Sequence, residues 1–407
     1  PYLAKGYTTK KTADGAGMWE IVIDESSDVF VARIGNVGYE TLQTAIDSAL
    51  AGNTVVILKD VEESVVIAAE QDITLDLNGK TLSGSNNHTV INKGTLTITD
   101  SAFSAANGDE SQMGKIVGVN YVYNNGKNSS GKIAVVNEET ATCYIESGLI
   151  TRQPYLAADE AGQVQNHWSN SNYTVQNMGT MYITGGFIVN NSTYSNLVVN
   201  FTKKNNSYID GYNAVMNISG GMLRQDTMSA LKNDPGAEMN ISGDAAVVWR
   251  VASPTNYATN FYGTVNMTGG TIRTNGIIPM FMWKEGNVEF PGVFNISGNA
   301  KLECNILEAN NGVTGDAYVT TSQPTINISG DPMITVNKLQ TVCFIDNKMT
   351  VVENRTNAAI NVAGGTFSSP VLSQYCADGY LPVSKGKAYG VAEGPLELSA
   401  EYLALLV

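Results

Sequence analysis

The sequence predicts an all-β solenoid, and three observations predict it. The composition avoids helix formers, a short motif recurs along most of the chain, and polarity alternates inside every copy of that motif. Of 407 residues only 15% are charged, against about 25% in an average soluble protein. Polarity comes instead from Asn, Thr, Ser and 40 Gly, residues of strands and turns rather than helices. Apolar residues at 43% suffice for an extended core. A helical bundle or coiled coil is excluded.

The repeat carries most of the argument. CYIESG from Cys143, MYITGG from Met181, MNISGG from Met216, MNISGD from Met239, VNMTGG from Val265, FNISGN from Phe294, INISGD from Ile326 and INVAGG from Ile360 align without gaps. LDLNGK from Leu75 and LTITDS from Leu96 fit more loosely. Copies follow one another at 21 to 47 residues, an irregularity that rigid helix-pair repeats do not tolerate. The longest interval is expected to hold a second coil near residues 114–120. The first and third positions are apolar in every copy, so they face a core; the second, between them, faces out. That outward position is Tyr at 144 and 182 and Asn at 217, 240, 266, 295, 327 and 361. Stacked in register, the asparagines would form a hydrogen-bonded ladder, and the closing Gly-Gly, Gly-Asp or Gly-Asn turns the corner. The Asn-x-Ser/Thr triplets so formed lie inside strands and need no glycan to explain them. These columns are those of a right-handed parallel β-helix of about 10–12 coils. At about 4.8 Å per coil it would extend about 50–60 Å. A multi-sheet sandwich is the competing fold, and it would place hairpins, not parallel register, between the motifs.

The remaining elements follow in chain order. Residues 1–36 form an N-terminal connector, the tail of a preceding unit; residues 37–370 form the β-helix; residues 371–407 form a C-terminal connector. The ends match, because YLAKGY from Tyr2 and MWEIV from Met18 share a pattern with YCADGY from Tyr375 and AYGVA from Ala388. Head-to-tail neighbours are the partners this implies. A β-helix exposes strand edges at its ends, and Leu42, Ala45, Ile46, Ala49 and Leu50 recur at helical spacing. The spacing predicts an N-terminal α-helical cap over 39–51. Whether residues 396–407 are ordered is left open.

Charge and chemistry-bearing residues narrow the function classes. A net charge of −14, from 24 Lys+Arg and 38 Asp+Glu, argues against nucleic acid as a partner and against anionic lipid. No run of about 18 apolar residues predicts membrane insertion. The chain starts at Pro1 with no signal peptide and reads as a mature or excised piece. Cys143, Cys304, Cys343 and Cys376 lack CxxC spacing, so neither a disulfide scaffold nor a zinc site is expected. The first three lie in apolar runs and read as buried thiols, and Cys376 sits beside a turn. Only His88 and His167 could serve as imidazole bases.

At this point VGYETLQTAIDSALAGNTVVIL, LDLNGKTLSG, the NISGG-type coils and the GGTFSSPV…YCADGY ending resemble large adhesin-like surface proteins of gut bacteria, within the pectate-lyase-like β-helix superfamily. The resemblance spans nearly the whole chain. It implies secretion, an extracellular cell-surface setting and an anchor outside this sequence.

The same superfamily includes pectin-degrading enzymes, so catalysis has to be weighed. The Asn-Thr-Asp, Asp-Asp, Gly-His-Gly and Arg-Ile-Lys signatures of two-carboxylate polygalacturonases are absent. So are the pectin methylesterase signatures, and no Asp cluster with a basic partner suits lyase chemistry. Asp159 and Glu160 read as solvated acids and His167 as an inert loop residue. No catalytic residue is assigned, and no cofactor is expected. Acids at turns, such as Asp244 and Asp331, would suit structural calcium, though the turn preference of Asp explains them without it.

Exposed aromatics among Asn, Gln and Ser are the ordinary means of holding sugars. The insertion 150–180 offers Tyr155, His167, Trp168 and Tyr173. The segment 249–262 offers Trp249, Arg250, Tyr257 and Tyr262, and a third candidate surrounds residues 280–284. In the competing structural reading these aromatics pack the loops onto the solenoid, which is favoured for Trp283. The function expected is a non-catalytic adhesin or stalk module binding glycans or host proteins through loops on one side of the β-helix. A polysaccharide lyase or hydrolase with an unrecognised site and a structural subunit of a tandem array stand as alternatives.

Overall fold

The computed structural model describes residues 3–13, 17–85, 87–119, 132–153, 173–190, 196–204, 207–208, 213–226, 228–249, 253–311, 322–345, 348–352 and 360–394. The chain forms two compact units. Unit 1 comprises Pro1–Val199, Ala214–Asn217 and Gly221–Met228; unit 2 comprises Asn200–Asn213, Ile218–Gly220 and Ser229–Val407. Each is a parallel β-solenoid.

The motif strands stack as their columns require. In unit 1, Thr95–Thr99, Thr142–Ile145 and Thr180–Ile183 pair in parallel, with Ile98, Ile145 and Ile183 side by side. In unit 2, Glu238–Ile241, Thr264–Met267, Val293–Ile296, Thr325–Ile328 and Ile360–Val362 do the same. The inward residues Met239, Val265, Phe294, Ile326 and Ile360 are wholly buried, each worth about 1.5–3 kcal/mol of apolar transfer. The outward asparagines form the expected ladder. Asn266 donates to Asn240, Asn295 to Asn266, Asn327 to Asn295 and Asn361 to Asn327, at 2.8–3.0 Å. In unit 1 the same column holds Tyr144 and Tyr182, whose rings stack at 4.9 Å and shield the strands beneath.

Two further strands complete each coil of unit 1. One follows the glycine turn, as in Thr81–Ser83, Lys115–Gly118, Leu149–Arg152 and Phe187–Asn190. The other precedes the motif, as in Val65–Ile67, Val90–Asn92, Val135–Asn137 and Val175–Asn177. The turn between motif and second strand explains its paired glycines. Gly186 has φ +74, and a Cβ on Gly185 would collide with the Glu146 carbonyl oxygen of the previous coil. One glycine is required by conformation, the other by close approach.

The 47-residue interval does not hide an extra coil. Thr95–Thr99 pairs directly with Thr142–Ile145, while Lys115–Gly118 is the second strand of a single coil. The surplus is an insertion whose short helix, Phe103–Ala106, packs Phe103 on Phe187 and joins Ala106 and Met113 to Leu149 and Val189. Buried Asp100 pins it, accepting from the backbone N–H groups of Gly79, Ala102 and Gly114 at 2.7–3.1 Å. Arg224 grips Glu110 of the same insertion at 2.7 and 3.3 Å.

A second ladder, which the motif columns did not reveal, runs through the interior. The strands before the motif end in asparagines at 92, 137 and 177 of unit 1 that are wholly buried. Asn92 donates to Asn137 and Asn137 to Asn177, each at 2.7 Å. The same amide groups reach backbone carbonyls of the neighbouring corner, Thr142 from Asn92 and Thr180 from Asn137. Unit 2 repeats the device with Asn200 donating to Asn233 at 3.0 Å. There it ends at Phe261, which stands beside Asn233 in the sheet and packs edge-on against Phe294. Amide ladders of this kind satisfy buried backbone at corners where no strand partner exists.

A helix lies over the first coil of unit 1, from Leu42 to Ser48, capped by the Thr41 hydroxyl on Thr44 N–H. It is shorter than the periodicity suggests, because Ala49 is already extended. Leu42, Ala45 and Ile46 are its buried face. The Glu63 carboxylate accepts from Leu42 and Gln43 N–H, and Gln43 bonds the backbone of Val66 through both ends of its amide. Cys143, Cys304 and Cys343 are buried thiols that form no disulfide, and Cys376 is a half-buried one; burial pushes the Cys143 thiol up to about 12.

His88 is expected to make unit 1 acid-sensitive. Its Nδ1 accepts from Ile133 N–H at 2.9 Å. Burial, then the positive charges of Lys132 and Arg152, lowers its pKa to about 4. The unfolded chain takes up the proton near 6.5, so stability present above that pH is lost as the pH falls towards 4. The expected loss is about 2 kcal/mol, discounted for partial exposure. Hydrogen exchange at Val90–Asn92 and Val135–Asn137, corrected for the intrinsic rate, should quicken between neutral pH and about pH 4.5 in the native chain and do so less in His88→Gln.

Candidate functional site

In unit 2 the second and third strands of successive coils fuse. Lys301–Asn311 pairs through Lys301–Glu303 with Thr271–Arg273 and through Ile306–Asn310 with Ile277–Glu285. Met333–Ile345 then pairs along nearly its whole length. The fusion carries side chains past the corner in strict parallel register. Pro279, Glu308 and Gln340 stand in one row, and Phe281, Asn310 and Val342 in the next. The opposite face, with Ile278, Met280, Leu307 and Ala309, is buried.

Tyr257 and Tyr262 lie over this row. Tyr262 stacks on Phe281 at 5.1 Å, Tyr257 meets Phe281 edge-on at 5.2 Å, and Trp283 meets Tyr262 edge-on at 5.8 Å. Beside the aromatic shelf sits the carboxylate of Glu308, which is only 2% exposed. Gln340 Nε2 and Asn310 Nδ2 each donate to it at 2.7 Å, and Asn310 also reaches the Tyr257 hydroxyl at 3.4 Å. Partial burial, and then the Glu308 charge, pushes that hydroxyl up to about 12. At neutral pH it is protonated, accepts from Asn310 and is unsuited to act as a base. Tyr257 is 39% exposed, so the shelf opens to solvent at this residue.

The arrangement is suited to holding a polyhydroxylated ligand. Ring faces stack on apolar C–H surface, and the exposed Tyr257 hydroxyl is the group left to meet a ligand hydroxyl, because Glu308, Asn310 and Gln340 are buried, bond one another and serve to position it. The nearby ion pairs are occupied with one another. Arg273 grips Glu303 at 2.6 and 2.8 Å, and Lys284 lies 3.5 Å from Glu289. Among the described residues no three His, Cys, Asp or Glu side chains gather into a metal-binding group. A separate cavity of about 440 Å³ in unit 2, bordered by Val336, Leu339, Val351, Pro370 and Leu372, is mainly apolar and has no carboxylate in its lining.

Of the aromatic candidates read from the sequence, the structure brings Tyr257 and Tyr262 together. Tyr173 belongs to unit 1, half-buried, its carbonyl accepting from Arg152 at 3.4 Å. Tyr155, His167, Trp168 and Arg250 lie outside the described residues. Trp249 is not a surface residue. It is 3% exposed, on the inward side of strand Ala246–Trp249, and its ring covers Gly276, where a Cβ would collide with it. Period-2 alternation from Val247 carries it inward. Trp283 is half-buried on the hairpin formed by Ile277–Glu285 and Val288–Pro291. Glu308, Asn310 and Gln340 escaped sequence reading, and their signal was the 32-residue spacing that puts Glu308 beside Gln340.

No family model matches the chain, and no curated protein or solved structure matches it.

Proposed function

We propose that this chain is a non-catalytic, extracellular adhesin module of a bacterial cell surface that holds a glycan on the shelf of Tyr257, Tyr262 and Phe281. The single observation that carries the reading is the shelf of packed rings that reaches solvent at Tyr257, whose hydroxyl is held by Asn310 on the buried Glu308 carboxylate. A protonated Tyr257 supplies recognition rather than proton abstraction. The coils are right-handed, as parallel crossovers overwhelmingly are. The helix Leu42–Ser48 is the N-terminal cap, supported by its buried face and by the Gln43 and Glu63 bonds to the first coil.

The test is retention of the protein on a panel of pectins, other plant polysaccharides and mucin, with released sugar assayed in the supernatant. Tyr257→Ala should weaken retention about ten-fold, equivalent to about 1.4 kcal/mol, while Tyr257→Phe keeps most of it. Native-like binding by Tyr257→Ala would move the site elsewhere, and sugar released by the native chain would make it a lyase or hydrolase.

A further inference from the structure

The chain contains the same β-hairpin twice, and only one copy is covered. Near the C-terminus, Tyr380–Lys385 pairs antiparallel with Ala388–Glu393, Tyr380 opposite Glu393. Near the N-terminus, Tyr7–Lys11 pairs with Trp19–Ile23, Tyr7 opposite Ile23. Both are entered through the same turn. Tyr380 N–H donates to Ala377 O and Tyr7 N–H to Ala4 O, and the glycine before each tyrosine has positive φ, +81 at Gly379 and +86 at Gly6. Both are closed by the same bond, Gly394 N–H to Gly379 O and Asp24 N–H to Gly6 O. By this register Trp19 corresponds to Tyr389, Glu20 to Gly390 and Ile21 to Val391.

The environments of the two hairpins differ. The C-terminal one closes the last coil of unit 2. Tyr389 pairs with Phe367, Lys385 Nζ donates to Gly365 O at 3.0 Å, and the lead-in bonds the coil through Ala377 N–H to Val362 O. Its Val391 is 6% exposed. In the N-terminal hairpin no coil covers the matching face among the described residues: Trp19 is 61% and Ile21 60% exposed, and the Lys11 ammonium lies over the Trp19 ring at 5.6 Å. Its other contacts run forward in unit 1. Tyr7 packs edge-on against Phe30 at 5.3 Å, and its hydroxyl accepts from Gly38 N–H at 3.4 Å. Trp19 and Ile21 share one face of their strand, and two exposed large apolar side chains side by side are costly in water.

We propose that the Trp19–Ile21 face is the closing surface for the last coil of another β-helical unit, one that ends as unit 2 ends, in an apolar strand with an inward aromatic at the position of Phe367 and a Gly-Gly turn before it. The unit that fits lies N-terminal to Tyr7 in the same polypeptide. In the covered copy the chain passes from coil to hairpin within residues 368–379, and residues 2–7 repeat the end of that lead-in. The hairpin thus links successive solenoids, one face on the coil behind and Tyr7 on the unit ahead. This stands apart from glycan binding and survives its failure.

The test grafts one hairpin onto the other's site in the full chain, with residues 2–24 replacing residues 375–394. Hydrogen exchange is then followed at the last-coil amides of Ala363, Thr366 and Ser368. The graft should protect them to within about three-fold of the native chain, and the same graft carrying Trp19→Asp and Ile21→Asp should lose about ten-fold or more. Exchange in the graft as fast as in the doubly substituted graft overturns the proposal. So does a graft that fails to fold, because a true equivalent of 375–394 must close the coil.

Discussion

Asn137→Ala is expected to cost unit 1 about 3–5 kcal/mol, far beyond a typical polar-to-alanine change. The side chain is wholly buried, and its amide nitrogen donates to Asn177 Oδ1, Ala141 O and Thr180 O at 2.7–3.1 Å while its oxygen accepts from Asn92. The two N–H groups, shared among three acceptors, and the bond to the oxygen are worth about 1 kcal/mol each, and with a small cavity they give that range. Asn137→Asp separates charge from shape. It places a carboxylate against the Asn177 oxygen and two carbonyls, so its folded-state pKa is raised above the unfolded value. The folded variant holds its proton where the unfolded chain has lost it, and stability therefore falls as pH rises above about 4. Because the chain has two units, one global midpoint would blur the effect. Hydrogen exchange across Val135–Asn137, Thr142–Ile145 and Val175–Asn177 localises it. Exchange should quicken in both variants and grow with pH, beyond the intrinsic rate, only in the aspartate. A native-like Asn137→Ala would mean that the outer packing, not the inner ladder, holds the corner.

The solenoid was legible because its evidence is periodic. Each motif repeats the same inside–outside alternation, and a one-residue slip would have buried the Asn column at 240, 266, 295, 327 and 361 and exposed the aliphatic ones. The inner ladder was less legible because its residue type misleads. Asn suggests a turn or surface, and only the recurrence of Val-x-Asn ahead of four motifs, at 90–92, 135–137, 175–177 and 198–200, marks it as structural. The 47-residue interval misled for a related reason. GKIVG has the look of a motif strand, but a coil has three strands and nothing in the pentapeptide says which one it is; pairing with Thr81–Ser83 and Leu149–Arg152 does.

The site was half legible. Tyr257 and Tyr262 announce themselves as aromatics among Asn and Ser. Glu308, Asn310 and Gln340 do not, because their meeting depends on register between strands about 32 residues apart and on two strands fusing where other coils turn a corner. Single polar residues inside an apolar strand look like exceptions until the neighbouring coil supplies the partner. Coil stacking has the same consequence elsewhere: Arg273 and Glu303 are neighbours for the same reason.

Trp249→Ala should act on stability rather than on binding, and Trp249→Phe shows why. The indole is buried on the inward side of its strand and fills the space above Gly276, so truncation leaves a large cavity at a cost of about 3–5 kcal/mol. The ring nitrogen is a different matter. Trp249 Nε1 is buried and finds no acceptor among the described residues, and an unpaired buried N–H forfeits its hydration, about 1–3 kcal/mol. Phenylalanine removes that group and loses less volume than alanine, so the two terms oppose each other and Trp249→Phe should stay within about 1.5 kcal/mol of native. Denaturation followed by hydrogen exchange in Ala246–Trp249 and Thr271–Arg273 reads both effects. Glycan retention at a temperature where Trp249→Ala is still folded should be unchanged, because the aromatic shelf is built by other residues. Lost retention in a folded Trp249→Ala, with Tyr257→Ala binding normally, would return the ligand to Trp249 and show that its burial opens. A Trp249→Phe as unstable as the alanine variant would show that indole shape, not the buried donor, governs this position.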